Sequence, residues 1–169
     1  MRKIFLMCLL VLLCSGCSIH KVNVSKSNFE KNIDSIALLP GGGVAADAIG
    51  IELMQYGFNI YDTETTSSIM IRLNLEEIEF SDPINLKKLS DMGINSILKV
   101  KTVSGYDDRP NTIVVKLVDT DTAQLIVGAN WQNGKGAAKG SAVDGWARTD
   151  IANAAKKIAK RIGTILKAK

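Results

Sequence analysis

The chain has 169 residues, with 21 Lys and Arg against 17 Asp and Glu, and a formal net charge of +4. That charge falls to about +2 if Arg2 and Lys3 leave with a cleaved leader, which removes the case for a nucleic-acid partner. His20 is the one histidine and sits three residues from Cys17, so a Ser-His-Asp triad or a His-ligated zinc site is not expected.

The chain opens with Arg2 and Lys3, continues with an apolar run from Ile4 to Leu13, and reaches Ser15-Gly16-Cys17. These are the three regions of a secretory signal peptide in order. The apolar run is shorter than the roughly 20 residues a permanent membrane helix needs. Two small residues directly before a cysteine resemble the lipobox of bacterial lipoproteins. The resemblance implies that residues 1–16 are removed and that Cys17 becomes a lipidated N-terminus. Cys8 and Cys14 leave with the leader, so no intramolecular disulfide is expected. Ser18 stands where that family carries Asp for inner-membrane retention. The resemblance therefore implies the periplasmic face of the outer membrane. Residues 17–32 read as lipidated Cys17 and a short polar tether, reaching at most roughly 50 Å. Residues 33–169 read as a single α/β domain, of a size that can bury a real core.

Ser35-Ile36-Ala37-Leu38-Leu39-Pro40 reads as a buried strand, stopped by Pro40 and Gly41 to Gly43. A helix is expected from Val44 to Tyr56, with Ala46, Ile49, Leu53 and Tyr56 inward and Gly57 at its end. Phe58 to Asp62 alternates as a second strand. Thr63 to Leu75 is expected to be helical, with Thr63 as N-cap and Ile69 and Leu73 in the core. Pro83 suits the first turn of a further helix through Met92, stopped by Gly93. Ile97 to Val103, Thr112 to Val118 and Gln124 to Trp131 read as three strands of an antiparallel meander. In the third, Leu125, Val127, Ala129 and Trp131 share a face, and Ile126 breaks the alternation. Asn133 to Gly145 reads as a loop. A last helix is expected from Trp146 to Lys167, its apolar stripe running through Ala147, Ile151, Ala154, Ile158, Ile162 and Ile165. Lys156, Lys157, Lys160 and Arg161 take its other side.

Gly41-Gly42-Gly43-Val44-Ala45-Ala46 fits G-x-G-x-x-A between a strand and a helix, and Asp62 closes the next strand. This is the dinucleotide fingerprint, with Gly41 and Gly43 at the phosphates and Asp62 at the ribose. Against it stand export away from nicotinamide cofactors and a meander where the second nucleotide-binding half belongs. No cofactor is expected. Asp119 and Asp121 lack the further ligands of a calcium loop, and no metal is expected. The acidic stretch Glu76, Glu77, Glu79 and Asp82 and the basic side of the last helix read as solvated faces. Trp131 and Trp146 read as core or loop-anchoring residues.

Ser35 to Pro40, Tyr56 to Asp62, Asp91 to Leu98, Val114 to Thr122 and Leu125 to Trp131 together resemble a periplasmic domain. It is shared by the curli secretion lipoprotein CsgG, the N-terminal domain of TolB and the activator lipoprotein LpoB. The resemblance implies an anticodon-binding-domain-like α/β fold. That fold has a mixed sheet of about five strands in a three-layer-like arrangement, in the order β-α-β-α-α-β-β-β-α. It also implies no catalytic residues, a membrane reached through the lipid, an envelope protein partner, and possible homo-oligomers. The expected function is a non-catalytic binding or assembly module of the cell envelope. The alternatives are a nucleotide-binding enzyme using the Gly41–Ala46 turn and a subunit of an oligomeric secretion channel.

Overall fold

The structure, a computed structural model, describes residues 21–28, 31–134 and 138–168. Its elements are β1 (Lys21–Lys26), β2 (Ser35–Leu38), α1 (Gly43–Met54), β3 (Asn59–Tyr61), α2 (Thr63–Leu73), α3 (Pro83–Asp91), β4 (Ser96–Ser104), β5 (Pro110–Asp119), β6 (Leu125–Gln132), α4 (Ala142–Ala147) and α5 (Ile151–Lys167). Two 3₁₀ turns, Pro40–Gly42 and Glu77–Ser81, precede α1 and α3. The strands form one sheet in the order β1-β6-β5-β4-β2-β3. β2 is parallel to both β3 and β4, while β4, β5, β6 and β1 pair antiparallel. The expected mixed α/β sheet with helices packed on it is what the chain forms.

Strand β2 is apolar throughout because both of its faces are covered. Ile36 and Leu38 point to one core with Ile49, Leu53, Ile158 and Ile162, supplied by α1 and α5. Ala37 and Leu39 point to a second core with Ile69, Leu86, Leu89 and Phe80. The first core extends across the sheet through Leu98, Ile113, Val115, Ala129 and Trp131. The second stops near β4, so among the described residues no helix lies on the face formed by β4, β5, β6 and β1 opposite α1 and α5. That face shows Lys101, Val103, Lys116 and Gln132 to solvent.

Four expectations are corrected. Residues 21–26 are not tether. They form β1, an edge strand with Lys21 opposite Gln132 and Val24 opposite Ala129. Val22 and Val24 lie against the first core, so the domain begins at least at residue 21 and the sheet has six strands. The last helix does not run from Trp146: Arg148 leaves helical geometry, and Asp150 caps α5 by accepting from Asn153 N at 2.8 Å. Asp62 rather than Thr63 caps α2, accepting from Thr65 N at 2.7 Å. On β6 it is Ile126 that is buried and Leu125 that is 46% exposed. The register shifts between Leu117 and Val118, which turns the first residue of β6 away from the core.

Candidate functional site

The glycine turn is built for packing. Gly42 lies so close to β4 that a Cβ there would stand 2.6 Å from Ala46 Cβ and 3.0 Å from Val100 Cβ. Gly43 has φ +49°, a left-handed value that glycine adopts without strain. The amide a phosphate would need, that of Gly41, donates to Glu77 Oε2 at 2.7 Å. A carboxylate thus occupies the place of the anion, and its charge repels any other. Asp62 at the end of β3 is spent on capping α2. Its hydrogen bond from the Thr65 amide holds its carboxyl below the usual range. Asp47 on α1 accepts from Thr63 N at 3.2 Å and from Thr63 Oγ1 at 2.9 Å, tying α1 to the same cap. The Gly41 amide and the Asp62 carboxylate are therefore each engaged by a partner within the fold.

The two other acidic candidates are likewise committed. Asp119 is buried, and its Oδ1 accepts from Asp121 N, Thr122 N and Thr122 Oγ1. Lys31 reaches its Oδ2 at 3.0 Å and also pairs with Asp121. Asp121 accepts further from Lys87 at 2.7 Å and from Ser90 Oγ at 2.5 Å. Hydrogen bonds from Lys31, Lys87 and Ser90 hold its carboxyl far below the ordinary carboxylate value. Two lysines already neutralise this turn, which a calcium loop would leave open. In the acidic stretch, Glu76 and Glu79 form a capping box, and Asp82 caps α3 by accepting from Ile84 N at 2.9 Å. Among the described residues no group of three His, Cys, Asp or Glu side chains could hold a metal ion.

What the structure does assemble lies at one end of the sheet. The register runs Val103, Thr112, Gln132, Lys21 across β4, β5, β6 and β1, so β1 starts at the same end of the sheet as the β4–β5 turn, with β6 between them. Around that turn, residues 138–150 are locked down. Arg148 Nε donates to Asp107 Oδ2 at 2.8 Å, and its Nη2 donates to Asn111 Oδ1 at 2.9 Å. Burial opposes ionisation of Asp107, but the bond and charge of Arg148 outweigh it and lower its pKa. Arg109 donates to the carbonyls of Gly145 and Arg148, and Tyr106 OH donates to buried Asp144. That bond, with some burial, raises the tyrosine pKa. Asn133 Nδ2 donates to Pro110 O at 2.7 Å and Thr149 O at 3.0 Å. A groove of about 610 Å³ runs between Tyr106, Asn111, Gln132, Lys139 and Arg148.

This scaffold holds α4, which is capped by Ser141 and too short to bury much. Trp146 is 85% exposed and Val143 53%, with Lys139 over the Tyr106 ring at 5.1 Å. Trp146 is therefore neither core nor loop anchor, in contrast to Trp131, which is fully buried in β6. Sequence reasoning missed this because Trp146 and Ala147 continue the spacing of the α5 stripe. Cys17 lies outside the described residues. Lys21, four positions later, begins β1 at this same end. The basic residues Lys156, Lys157, Lys160 and Arg161 are exposed on α5, as expected. Among the described residues no helix is long and apolar enough to cross a membrane.

No family model matches the chain, and no curated protein matches it by sequence. Solved structures do share its fold. A PelC dodecamer from Paraburkholderia phytofirmans superposes with a TM-score of 0.52 at 12% identity, covering 89% of this chain and 100% of that one. A second PelC dodecamer structure from the same organism gives 0.51 at 12% identity, covering 89% and 99%. The lipoprotein GNA1162 from Neisseria meningitidis gives 0.47 at 13% identity, covering 79% and 97%. At such identities the likeness is one of fold: an α/β sheet with helices packed on it.

Proposed function

We propose that this protein is an exported lipoprotein of the bacterial envelope, a non-catalytic binding and assembly module held on a membrane by acylated Cys17. The observation that carries this reading is where β1 starts. Four residues of extended chain reach about 14 Å, so a lipid on Cys17 holds the sheet end with Lys21, Lys139, Val143 and Trp146 against the bilayer surface. An exposed tryptophan suits that boundary, since its ring is apolar and its N–H is polar. The groups that could have suggested catalysis work instead as caps, ion pairs and packing contacts, and Glu77 fills the one phosphate-like turn. The membrane is the outer one, at its periplasmic face, and the working form is a homo-oligomer, as the PelC structures of the same fold are dodecamers. The partner is an envelope protein of unknown identity.

The test is the full chain in a two-membrane bacterium, as wild type, Cys17→Ala and Trp146→Ala. Cys17→Ala is expected to lose acyl labelling and move to the soluble periplasmic fraction. Trp146→Ala is expected to keep its label but to wash off membranes more readily. Retention of Cys17→Ala in the outer-membrane fraction would sink the anchor. Emission from Trp146 that does not shift to the blue on lipid vesicles would sink the orientation.

A further inference from the structure

The sheet is covered unevenly. Helices α1 and α5 span its first face, whereas α2 and α3 cover only the half near β2 and β3. The uncovered half pairs Lys99 directly with Lys116, Lys101 with Val114, and Val114 with Asn130. Like charges set opposite each other on adjacent strands are unfavourable unless something anionic lies over them. Lys99 donates to Phe80 O at 3.2 Å, but Lys101 and Lys116 have no acidic partner among the described residues. The same face leaves Val103 52% and Leu125 46% exposed. Beside Lys116 sits Gly128, where a Cβ would meet only Leu125 Cδ2 at 3.8 Å, so the sheet has a dent there. A hollow of about 270 Å³ between Lys99, Lys116, Val118 and Leu125 continues the dent toward α3.

The opposite character appears elsewhere on the chain. From the end of α2 to the start of α3, Ile71, Ile78 and Ile84 are 78%, 78% and 73% exposed. Glu76, Glu79 and Asp82, all exposed, are interleaved with them. Ile71 stands on α2, Ile78 in the 3₁₀ turn and Ile84 on α3, and apolar patches rimmed by charge mark contact surfaces. This ridge offers apolar knobs within an acidic rim, and the open sheet half offers an apolar floor, a dent and a basic rim.

We propose that the open half of the sheet is the docking face for a second copy of this chain, and that it receives the neighbour's Ile71–Ile84 ridge. This deepens the homo-oligomer reading above and rests on it. The two patches differ, so the contact is head-to-tail. Each copy then keeps one ridge and one face free, and the series ends only by closing into a ring or continues as a filament. Charge complementarity selects the copy over an unrelated partner, because both halves of the match are on one polypeptide.

The test is the full-length lipoprotein in detergent, measured by light scattering and sedimentation. Ile78→Lys places a cation on the ridge without touching the capping carboxylates. Lys101→Glu with Lys116→Glu reverses the face. Each set is expected to weaken self-association at least ~10-fold. Unchanged circular dichroism spectra would exclude misfolding, since all three positions are exposed. An oligomer that persists through both sets overturns the interface while leaving oligomerisation standing. A monomeric wild type overturns both. A monomer whose retention on a heparin column is lost in Lys101→Glu/Lys116→Glu would assign the face to an anionic polymer instead.

Discussion

Helix α5 packs against the end of α1 where Gly163 meets the ring of Tyr56, in the turn that follows Met54. A Cβ at residue 163 would stand 2.5 Å from Tyr56 Cγ and 2.7 Å from both Cδ atoms. Carbon atoms in contact sit about 3.5–4.0 Å apart, so Gly163→Ala demands a separation of about 1 Å between two packed helices. In an ordinary helix the same change would stabilise by about 1 kcal/mol. Overpacking a filled core costs about 1–3 kcal/mol, and the atoms struck are the inner ring carbons, which cannot swing aside as a flexible tip would. We expect a net loss of about 1–2 kcal/mol, read as a fall in melting temperature of roughly 2–8 °C for a domain of this size. Urea melts by far-UV circular dichroism on the unacylated Cys17→Ala form would measure it. The matching control is Gly163→Ala in a Tyr56→Ala background, where the clash is gone and the helix gain should return, giving a positive coupling. A Gly163→Ala protein that is more stable than its parent would refute the close approach of α1 and α5 on which the first core depends.

Ile162 is fully buried in that core, so Ile162→Ala is expected to cost about 2–4 kcal/mol, and exposed Lys160→Ala under about 0.5. Equal effects in urea melts would mean that the faces of α5 are misassigned. The pKa of Asp121 is lowered on folding, so its contribution is present above the unfolded value of about 3.9 and is lost as pH falls through the folded one. Asp121→Asn should therefore be less stable than the parent at pH 7, by under ~1 kcal/mol for so exposed a group, and the gap should close in acid. A gap that widens below pH 4 would contradict the Lys31 and Lys87 pairing. Titration calorimetry with NAD, NADP, ATP and GTP at millimolar ligand should give no heat. Saturable binding lost in Gly43→Val or Asp62→Ala would restore the nucleotide-binding alternative.

Much of the fold can be read along the chain because its signals are local. Gly57 and Gly93 follow helices with φ of +78° and +83°, and only glycine adopts such values freely. Pro83 marks the first turn of α3 because its missing N–H costs nothing there. The unbroken apolar run of β2 announces a strand covered on both faces. Strand β1 is harder to see. Lys21-Val22-Asn23-Val24-Ser25-Lys26 alternates with only two apolar residues and a lysine at each end, the composition of a polar tether as much as of a protected edge strand. What makes it a strand is β6, more than 100 residues away along the chain. The start of α5 carried a local signal in Asp150, an N-cap before Ile151, but Trp146 and Ala147 continue the same spacing and mask it.

The functional reading depends on contacts of that longer range. Gly41-x-Gly43 and Asp62 fit the dinucleotide spacing, and the residue that engages the Gly41 amide, Glu77, lies 36 positions away. No spacing rule connects them; the helix α2 and its following turn must fold back over β2 before the carboxylate arrives. The exposure of Trp146 has the same origin. Alone it is one more apolar residue on a helical period. It stands outward on a segment whose backbone Arg109 and Arg148 fasten on either side of it to the β4–β5 turn. Two arginines, a buried aspartate and Asn133 hold this six-residue helix in solvent, an arrangement that suits the bilayer contact proposed above. In the proposed lipoprotein, the three residues between Cys17 and Lys21 would bring the membrane to the same end.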